Sequence, residues 1–557
     1  MFQNALKYLP AGFLLCFGLC FWTAAPQQVL LLEDSKQLWT GFGFVLDQSE
    51  WQFMRLLAVV GSAVLLFTVP YQEKSQNRLL VGIFCFVLCM AAYMCAAHLL
   101  LLLFFWELLS FVSFWLIGFD TSSSESSRSA FLAFMMSRLS DVALLCFVGG
   151  FWLHFGHLNL LAVNAQTVLS APTYLAWALL VAGLAKSAQA IFVWWLPAAM
   201  HAPTPVSALL HAASLVAAGV WLWYKCFVFW NEQLQTVMLY VGSCTVIVAA
   251  ISVFFEENPK KLLAWSTVLA LGCITLSFAQ TNHEVIKDWI LAHGAYKSLL
   301  FLCVGVLCVR PQNFSNQTKR LAWWFLCLAA ILSLGLPLSP LAAAKSTILK
   351  NLHFKEKIWF WIILMFSAGL MGRVLACVRM YMRCNESTTQ KRQSSDWMAI
   401  IALAILALYN FVWLQSVVWA SFELEQLSSL MLFVALYAGF VLWKKTPQNT
   451  LSEQTLILCW QILKTPRHIG ATIADVDRRF VDRLAVWGMK TVIILGHVHK
   501  RLDRQILDPI LHWPVYLLMR AGGWATPPKG RLVFGAVQIL LGAFGVIVIW
   551  LLWILVA

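Results

Sequence analysis

The chain has 557 residues, of which 61% are hydrophobic and 11% charged, with a mean hydropathy of +0.77. Soluble domains carry about 25% charged residues, so these values exclude an ordinary soluble enzyme and point to an all-α polytopic membrane protein. The net charge of +14 sits in short loops between apolar runs, where lysine and arginine set orientation in a bilayer; nucleic acid is not an expected partner.

Apolar runs of about 20 residues, the length that spans a bilayer, predict helices over 7–24, 53–70, 79–97, 99–119, 130–154, 172–201, 206–228, 236–255, 261–280, 286–309, 321–352, 357–382, 397–416, 427–443 and 531–556. About fifteen transmembrane helices are therefore expected. The first run lacks a cleavage site and reads as a retained span. Two runs, 172–201 and 321–352, are too long for one straight span and too short for two, which is how a broken helix looks in sequence. In the first, Pro197, Pro203 and Pro205 interrupt the helix; in the second, Pro337 and Pro340 do so. Over 446–530 charged and apolar residues interleave, which predicts a long lateral amphipathic helix lying along the membrane face. The resulting organisation is an N-terminal group of helices (1–98), a half built on the first broken run (99–255) and a half built on the second (256–385). Further helices (386–445), the lateral helix (446–530) and a C-terminal anchor (531–557) follow.

Lys74, Arg78, Arg128, Lys260, Lys261, Arg310, Lys319, Arg320, Arg383, Lys391, Arg392, Lys444 and Lys445 fall on one side if each broken run crosses once, and the opposite loops, such as 155–171, are nearly free of basic residues. That asymmetry places the N-terminus in the cytoplasm. Lys355 and Lys357 are on the wrong side. The fifteen cysteines include no Cys-x-x-Cys pair; Cys16/Cys20 and Cys85/Cys89 share helix faces as small buried hydrophobes do. His154 and His157 fall in a loop, and His497 and His499 point apart on a helix. With no phosphate-cradling glycine loop or dinucleotide fingerprint, the chain is expected to carry no metal, redox cofactor or nucleotide site of its own.

The residues that invite chemistry are ionisable groups inside apolar runs: Glu107, Arg138, Asp141, Lys186, His211, His293, Lys297, Lys345 and, near the end of its span, Arg379. A charge at mid-membrane costs about 2.5 to 3.5 kcal/mol on insertion scales, so a row of Glu, Lys and His at that depth reads as a proton relay. Lys186 ends an apolar stretch just before the first break; the alternative to a buried role is a snorkelling side chain. Arg138 and Asp141, three apart, share a helix face and are the pair most readily explained as a structural ion pair. His293 and Lys297 are four apart on one face. A lysine near each break, Lys186 and Lys345, suggests an internal repeat of the kind transporters use, with two proton half-paths meeting at His293 and Lys297.

The motifs Trp-Glu107-Leu, Arg138-x-x-Asp141, Lys186-Ser-Ala-Gln, Pro197-Ala-Ala-Met-His-Ala-Pro203-Thr-Pro205-Val-Ser-Ala-Leu-Leu-His211, Asn258-Pro259-Lys260-Lys261 and His293-x-x-x-Lys297 resemble the proton-translocating antiporter-like family. That family includes membrane subunits of respiratory complex I and the large subunits of Mrp cation/proton antiporters. The resemblance covers residues 50–385, and the lateral helix followed by a last span is most similar to the distal, NuoL-type, subunit. It implies two inverted five-helix repeats, Glu107 with Lys186 as the pair of the first half-channel, His211, His293 and Lys297 as the central relay, and Lys345 as the exit lysine. Ser346 stands where that subunit type usually has an acidic residue. The expected function is proton translocation within a complex I-like NADH:quinone oxidoreductase, whose other membrane subunits would be its partners and do the electron chemistry. The alternatives are an Mrp-type sodium/proton antiporter subunit, against which the position of the C-terminus counts, and the energising partner of a soluble protein in an inorganic-carbon (CO2/bicarbonate) uptake complex.

Overall fold

The computed structural model describes residues 10–12, 14, 43–71, 75–212, 214–279, 283–334, 341, 354–384 and 396–417. The chain divides into two compact units, Met1–Pro447 and Gln448–Ala557, and every described residue lies in the first. Among the described residues thirteen helices of nine residues or more organise it: α1 Gln48–Tyr71, α2 Gln76–Cys95, α3 Leu99–Ile117, α4 Ser124–Phe155, α5 Thr173–Lys186, α6 Thr204–Ala212 and α7 Leu215–Lys225. They continue with α8 Glu232–Phe255, α9 Pro259–Ser277, α10 His283–Val304, α11 Asn316–Ser333, α12 Phe354–Cys384 and α13 Asp396–Val417. Among the described residues nine segments are long and apolar enough to cross a membrane. The chain is a multi-pass integral membrane protein.

Which helices are central follows from their composition. The apolar spans of α6–α7 and α10 are the most deeply buried among the described residues, and these carry His211, His293 and Lys297. Peripheral helices turn large apolar side chains outward, including Phe104 on α3, Val142 and Leu153 on α4, and Tyr240 and Ile247 on α8, as a surface solvated by lipid tails requires. Around the centre α4 packs against α3 and α5, α7 against α5, α6 against α10, and α13 against α1 and α10.

Local signals set the ends. Asn258 caps α9 by accepting from the Lys260 amide at 2.9 Å, with Pro259 at the first helical position, a placement that wastes no donor. Asn231 caps α8 through the Leu234 amide, and Ser123 caps α4 through the Ser126 amide. The α10 ladder widens into a π-helical turn at Gly305–Val309; a methyl at Gly305 would come within 2.8 Å of Thr204 at the start of α6.

Three expectations change in detail. The span expected over 206–228 is two helices, with Ser214 between them; its hydroxyl donates to the Leu209 carbonyl at 2.5 Å. His154 lies in the last turn of α4, with only His157 in the following loop, because α4 runs on until Gly156 stops it with a left-handed φ of 71°. Arg379 is exposed on α12. The break expected at Pro337 and Pro340 with Lys345, the lateral helix and the C-terminal anchor lie outside the described residues.

Candidate functional site

The first broken run is built as its prolines demand. Helix α5 ends at Lys186, where the Ser187 amide donates to the Gly183 carbonyl at 2.9 Å. Ala188 and Ala190 then take positive φ values of 50° and 49°, a conformation that costs an L-residue other than glycine about 1 kcal/mol or more. Short turns at Ala190–Phe192, Trp195–Ala198 and Ala199–His201 lead to α6. Backbone groups freed at lipid depth must be satisfied from within the protein, and side chains do this. Thr245 accepts from the Ala190 amide at 2.8 Å, the Gln189 side-chain amide, oriented by the Thr275 hydroxyl that donates to its oxygen, donates to the Ser187 carbonyl at 3.1 Å, and Trp195 donates to the Ala185 carbonyl at 3.1 Å. On α7, Trp223 donates to Leu179, and the Ser187 hydroxyl donates to Val216 at 2.8 Å. Gly183 and Gly219 allow α5 and α7 to meet closely: a methyl at 219 would stand 2.7 Å from the Gly183 carbonyl oxygen.

Lys186 is 1% exposed, so it does not snorkel. Its ammonium donates to the Ser110 hydroxyl at 2.6 Å and the Trp106 carbonyl at 3.0 Å, and lies over the Trp106 ring, 4.1 Å from the centroid. Its ion contact is Asp141, at 3.8 Å. Arg138 forms the next link, 2.8 Å from Asp141 and 2.5 Å from Glu107, while its guanidinium covers the Phe134 ring. Arg138 and Asp141 are thus not an isolated structural pair. They join Glu107 to Lys186, and Glu107 reaches the lysine through them. The alternation of sign along Glu107, Arg138, Asp141 and Lys186 is what makes four charges tolerable in so small a volume.

Further in, His211 on α6 packs against the Phe301 ring, 4.9 Å between centroids, and both its ring nitrogens are buried without a hydrogen-bond partner among the described residues. Lys297, His293 and Lys260 act on it electrostatically. On α10, Lys297 donates to the Ser266 hydroxyl of α9, and His293 stacks edge-on against Tyr296 with its Nε2 unpartnered among the described residues. Such imidazoles, one or two bonds short inside a polar core, are sites that buried water serves.

Three features were not marked by the sequence. Lys260, expected in a loop as an orienting charge, is buried, and its ammonium donates to the carbonyls of Met200 and Ala202 at 2.8 and 2.7 Å. Asn410 of α13 donates to the Ala295 carbonyl at 3.1 Å, between His293 and Lys297. Glu50 and Lys225 form a buried pair at 3.6 Å, with Lys225 also donating to Ala96. Lys260 stands beside polar loop residues in sequence, and only the tertiary packing buries it.

The site is thus a bundle of spans assembled around a broken helix, with acids, bases and imidazoles strung through its interior, the architecture of a polytopic membrane subunit. Residues 96–371 match the family described as NADH:quinone oxidoreductase/Mrp antiporter, TM. NADH-ubiquinone oxidoreductase chain 5 of Paramecium tetraurelia is 32% identical over 305 residues, covering 52% of this chain and 53% of that protein. Its counterpart in Anopheles quadrimaculatus is 26% identical over 431 residues, covering 72% and 73%. Among solved structures, the Mrp complex from Dietzia sp. DQ12-45-1b superposes with a TM-score of 0.65 at 19% identity, over 90% of this chain and 60% of the matched one. The archaeal membrane-bound sulfane sulfur reductase gives 0.59 at 16% identity, over 79% and 92%. The chain therefore spans about half the length of the Paramecium relative. Its segment 96–371 belongs to the antiporter-like membrane-subunit family shared by NADH:quinone oxidoreductases and Mrp antiporters.

Proposed function

We propose that the chain translocates protons across an energy-converting membrane as the distal, NuoL-type antiporter-like subunit of a complex I-like NADH:quinone oxidoreductase or a related complex. The observation that carries this reading is the Lys186 site: a fully buried ammonium at the end of a broken helix, tied to a carboxylate that Arg138 links to a second one. A proton on Lys186 is held by Asp141, Ser110 and Trp106; moving Arg138 between Glu107 and Asp141 changes how much negative charge faces the lysine, and so gates release towards His211, His293 and Lys297. Glu107 takes up the proton on the lateral side, and Lys345 delivers it in the second half. The electron chemistry belongs to partner subunits, other membrane subunits flank this chain, and it holds no cofactor of its own. The reading places it in the bacterial cytoplasmic membrane, and the loop charges favour an orientation with the N-terminus inside.

The test is Lys186→Ala in the intact complex, with proton uptake by inverted membrane vesicles measured against NADH oxidation. Uptake per electron is expected to fall while the complex still assembles. Undiminished uptake at undiminished turnover would reject the reading. Because the family also holds Mrp antiporters, a sodium/proton antiporter subunit is the second reading. Sodium-driven proton movement in the same vesicles without NADH would select it.

A further inference from the structure

Lys260 is a buried lysine that the relay does not use. It occupies the second position of α9, where the helix dipole is positive and disfavours a cation; α9 has no acidic residue in its first turn. The residue is 8% exposed, and no carboxylate among the described residues lies within ion-pair reach of it. Burial and the dipole both oppose a charge here, and two carbonyl oxygens are what offset them.

Those carbonyls are left open by the sequence of the break. Met200 would ordinarily serve an amide three or four residues on, but Pro203 has none, and the Thr204 amide turns to the Tyr71 hydroxyl at 3.4 Å. Ala202 loses its donor three residues on because Pro205 has no amide either. A buried carbonyl without a donor is costly, and Lys260 supplies both bonds from one ammonium. The chain leaves Ala202 in an extended conformation, φ −57° and ψ 153°, and enters α6 directly, so these two bonds fix the direction in which the helix carrying His211 departs.

We propose that Lys260 is a positioning residue for proton transfer: its ammonium clamps the closing end of the broken helix and thereby holds α6 and the His211 ring in register with Lys297 and His293. The inference rests on the proposed proton path. Its action is donation to two carbonyls, so a different cation that can reach them should serve.

The experiment compares Lys260→Arg, Lys260→Gln and Lys260→Met in the intact complex, reading proton uptake per electron in inverted vesicles, with Lys261→Met as the control. Uptake is expected within about twofold of wild type for arginine, intermediate for glutamine, and reduced about tenfold or more for methionine, as loss of charge-assisted hydrogen bonds predicts. Arginine as inactive as methionine would overturn the clamp and make Lys260 a proton carrier. Methionine at wild-type uptake, or failure of all three variants to assemble, would overturn it too. If Lys186→Ala retains full uptake, the proton path itself has failed; if that variant is impaired and Lys260→Met is not, only the clamp has.

Discussion

Replacing Gly219 by alanine tests whether the geometry of the break governs the site. The added methyl would lie 2.7 Å from the Gly183 carbonyl oxygen and would overlap the Ser187 hydroxyl, roughly 0.7 Å inside an ordinary van der Waals contact. The hydroxyl can rotate, at the expense of its bond to Val216, but the carbonyl is backbone and cannot. Helices α5 and α7 must therefore separate next to Lys186. Overpacking of this kind costs about 1 to 3 kcal/mol, against which alanine regains about 1 kcal/mol as the better helix former, leaving a net loss of roughly 1 kcal/mol. Transport should suffer more than stability. Lys186 precedes Ser187, and a misplacement of about 1 Å at a reacting group can cost on the order of a hundredfold. The assay is proton uptake per electron in inverted vesicles, together with thermal unfolding of the purified complex. Gly149→Ala is the matched control, because a methyl there meets nothing within 4 Å. If Gly219→Ala and Gly149→Ala behave alike in both measurements, the close approach of α5 and α7 does not set the position of Lys186.

Arg138→Leu leaves Glu107 and Asp141 facing each other without their shared cation, a change that typically costs about 3 to 5 kcal/mol for a buried pair; the double variant with Glu107→Gln is expected to unfold at a higher temperature than the single one, and additive losses would count against the bridge. At Glu50 and Lys225 either single neutralisation strands a buried charge, so Glu50→Gln with Lys225→Met should be more heat-stable than either alone, as a thermal-shift series on the complex would show. Asp47 caps α1 by accepting from the Ser49 and Glu50 amides at 2.8 and 3.1 Å. Burial pushes its carboxyl up, but hydrogen bonds from Glu50 and Ser49 and the charge of Lys225 outweigh it and hold the carboxyl below 3.8. A lowered value means that the ionised cap stabilises the fold above pH 3.8 and loses that contribution as pH falls through the folded value. Asp47→Ala should therefore cost about 0.5 to 2 kcal/mol at neutral pH, with the difference closing below that point; a pH-independent gap in unfolding temperature would contradict this.

The spans were legible because lipid leaves little choice. A run of about 20 apolar residues must be a helix, and α2, α3 and α9 lie within a few residues of where hydropathy puts them. Prolines 197, 203 and 205 marked the first break, but not where the helix stops: the left-handed turn falls at Ala188 and Ala190, where nothing in an alanine signals it. Likewise the ionisable residues stood out one by one against apolar neighbours, while their order did not. That Arg138 sits between Glu107 and Asp141 depends on the angle at which α3 crosses α4, which no local spacing encodes. Lys260 was hidden for the opposite reason. Its neighbours Glu256, Glu257 and Lys261 make it look like loop charge, and burial comes from the break that packs over it.

Breaking the helix leaves a bundle of this kind two tasks: placing a charge at depth, and finding donors for backbone that lipid cannot serve. The chain meets both with the same residues. Lys186 ends α5, so its ammonium reaches Trp106 and Ser110 on α3, one a carbonyl and one a hydroxyl, just where the strand of carboxylates begins. Lys260 finishes the same broken run from the other side, on carbonyls that two prolines have stripped of amides. Lys260 is held by carbonyls left open only because the helix is interrupted, whereas Lys186 meets acceptors on the intact α3 because α5 stops where it does, so each lysine depends on the interruption in its own way. Straightening the run by replacing Pro203 and Pro205 with alanine would return amides to Met200 and Ala202 and leave Lys260 buried without acceptors. On this reasoning that double variant harms transport through the lysine and not through the helix, and Lys260→Met in the same background restores part of the lost stability instead of adding to the damage.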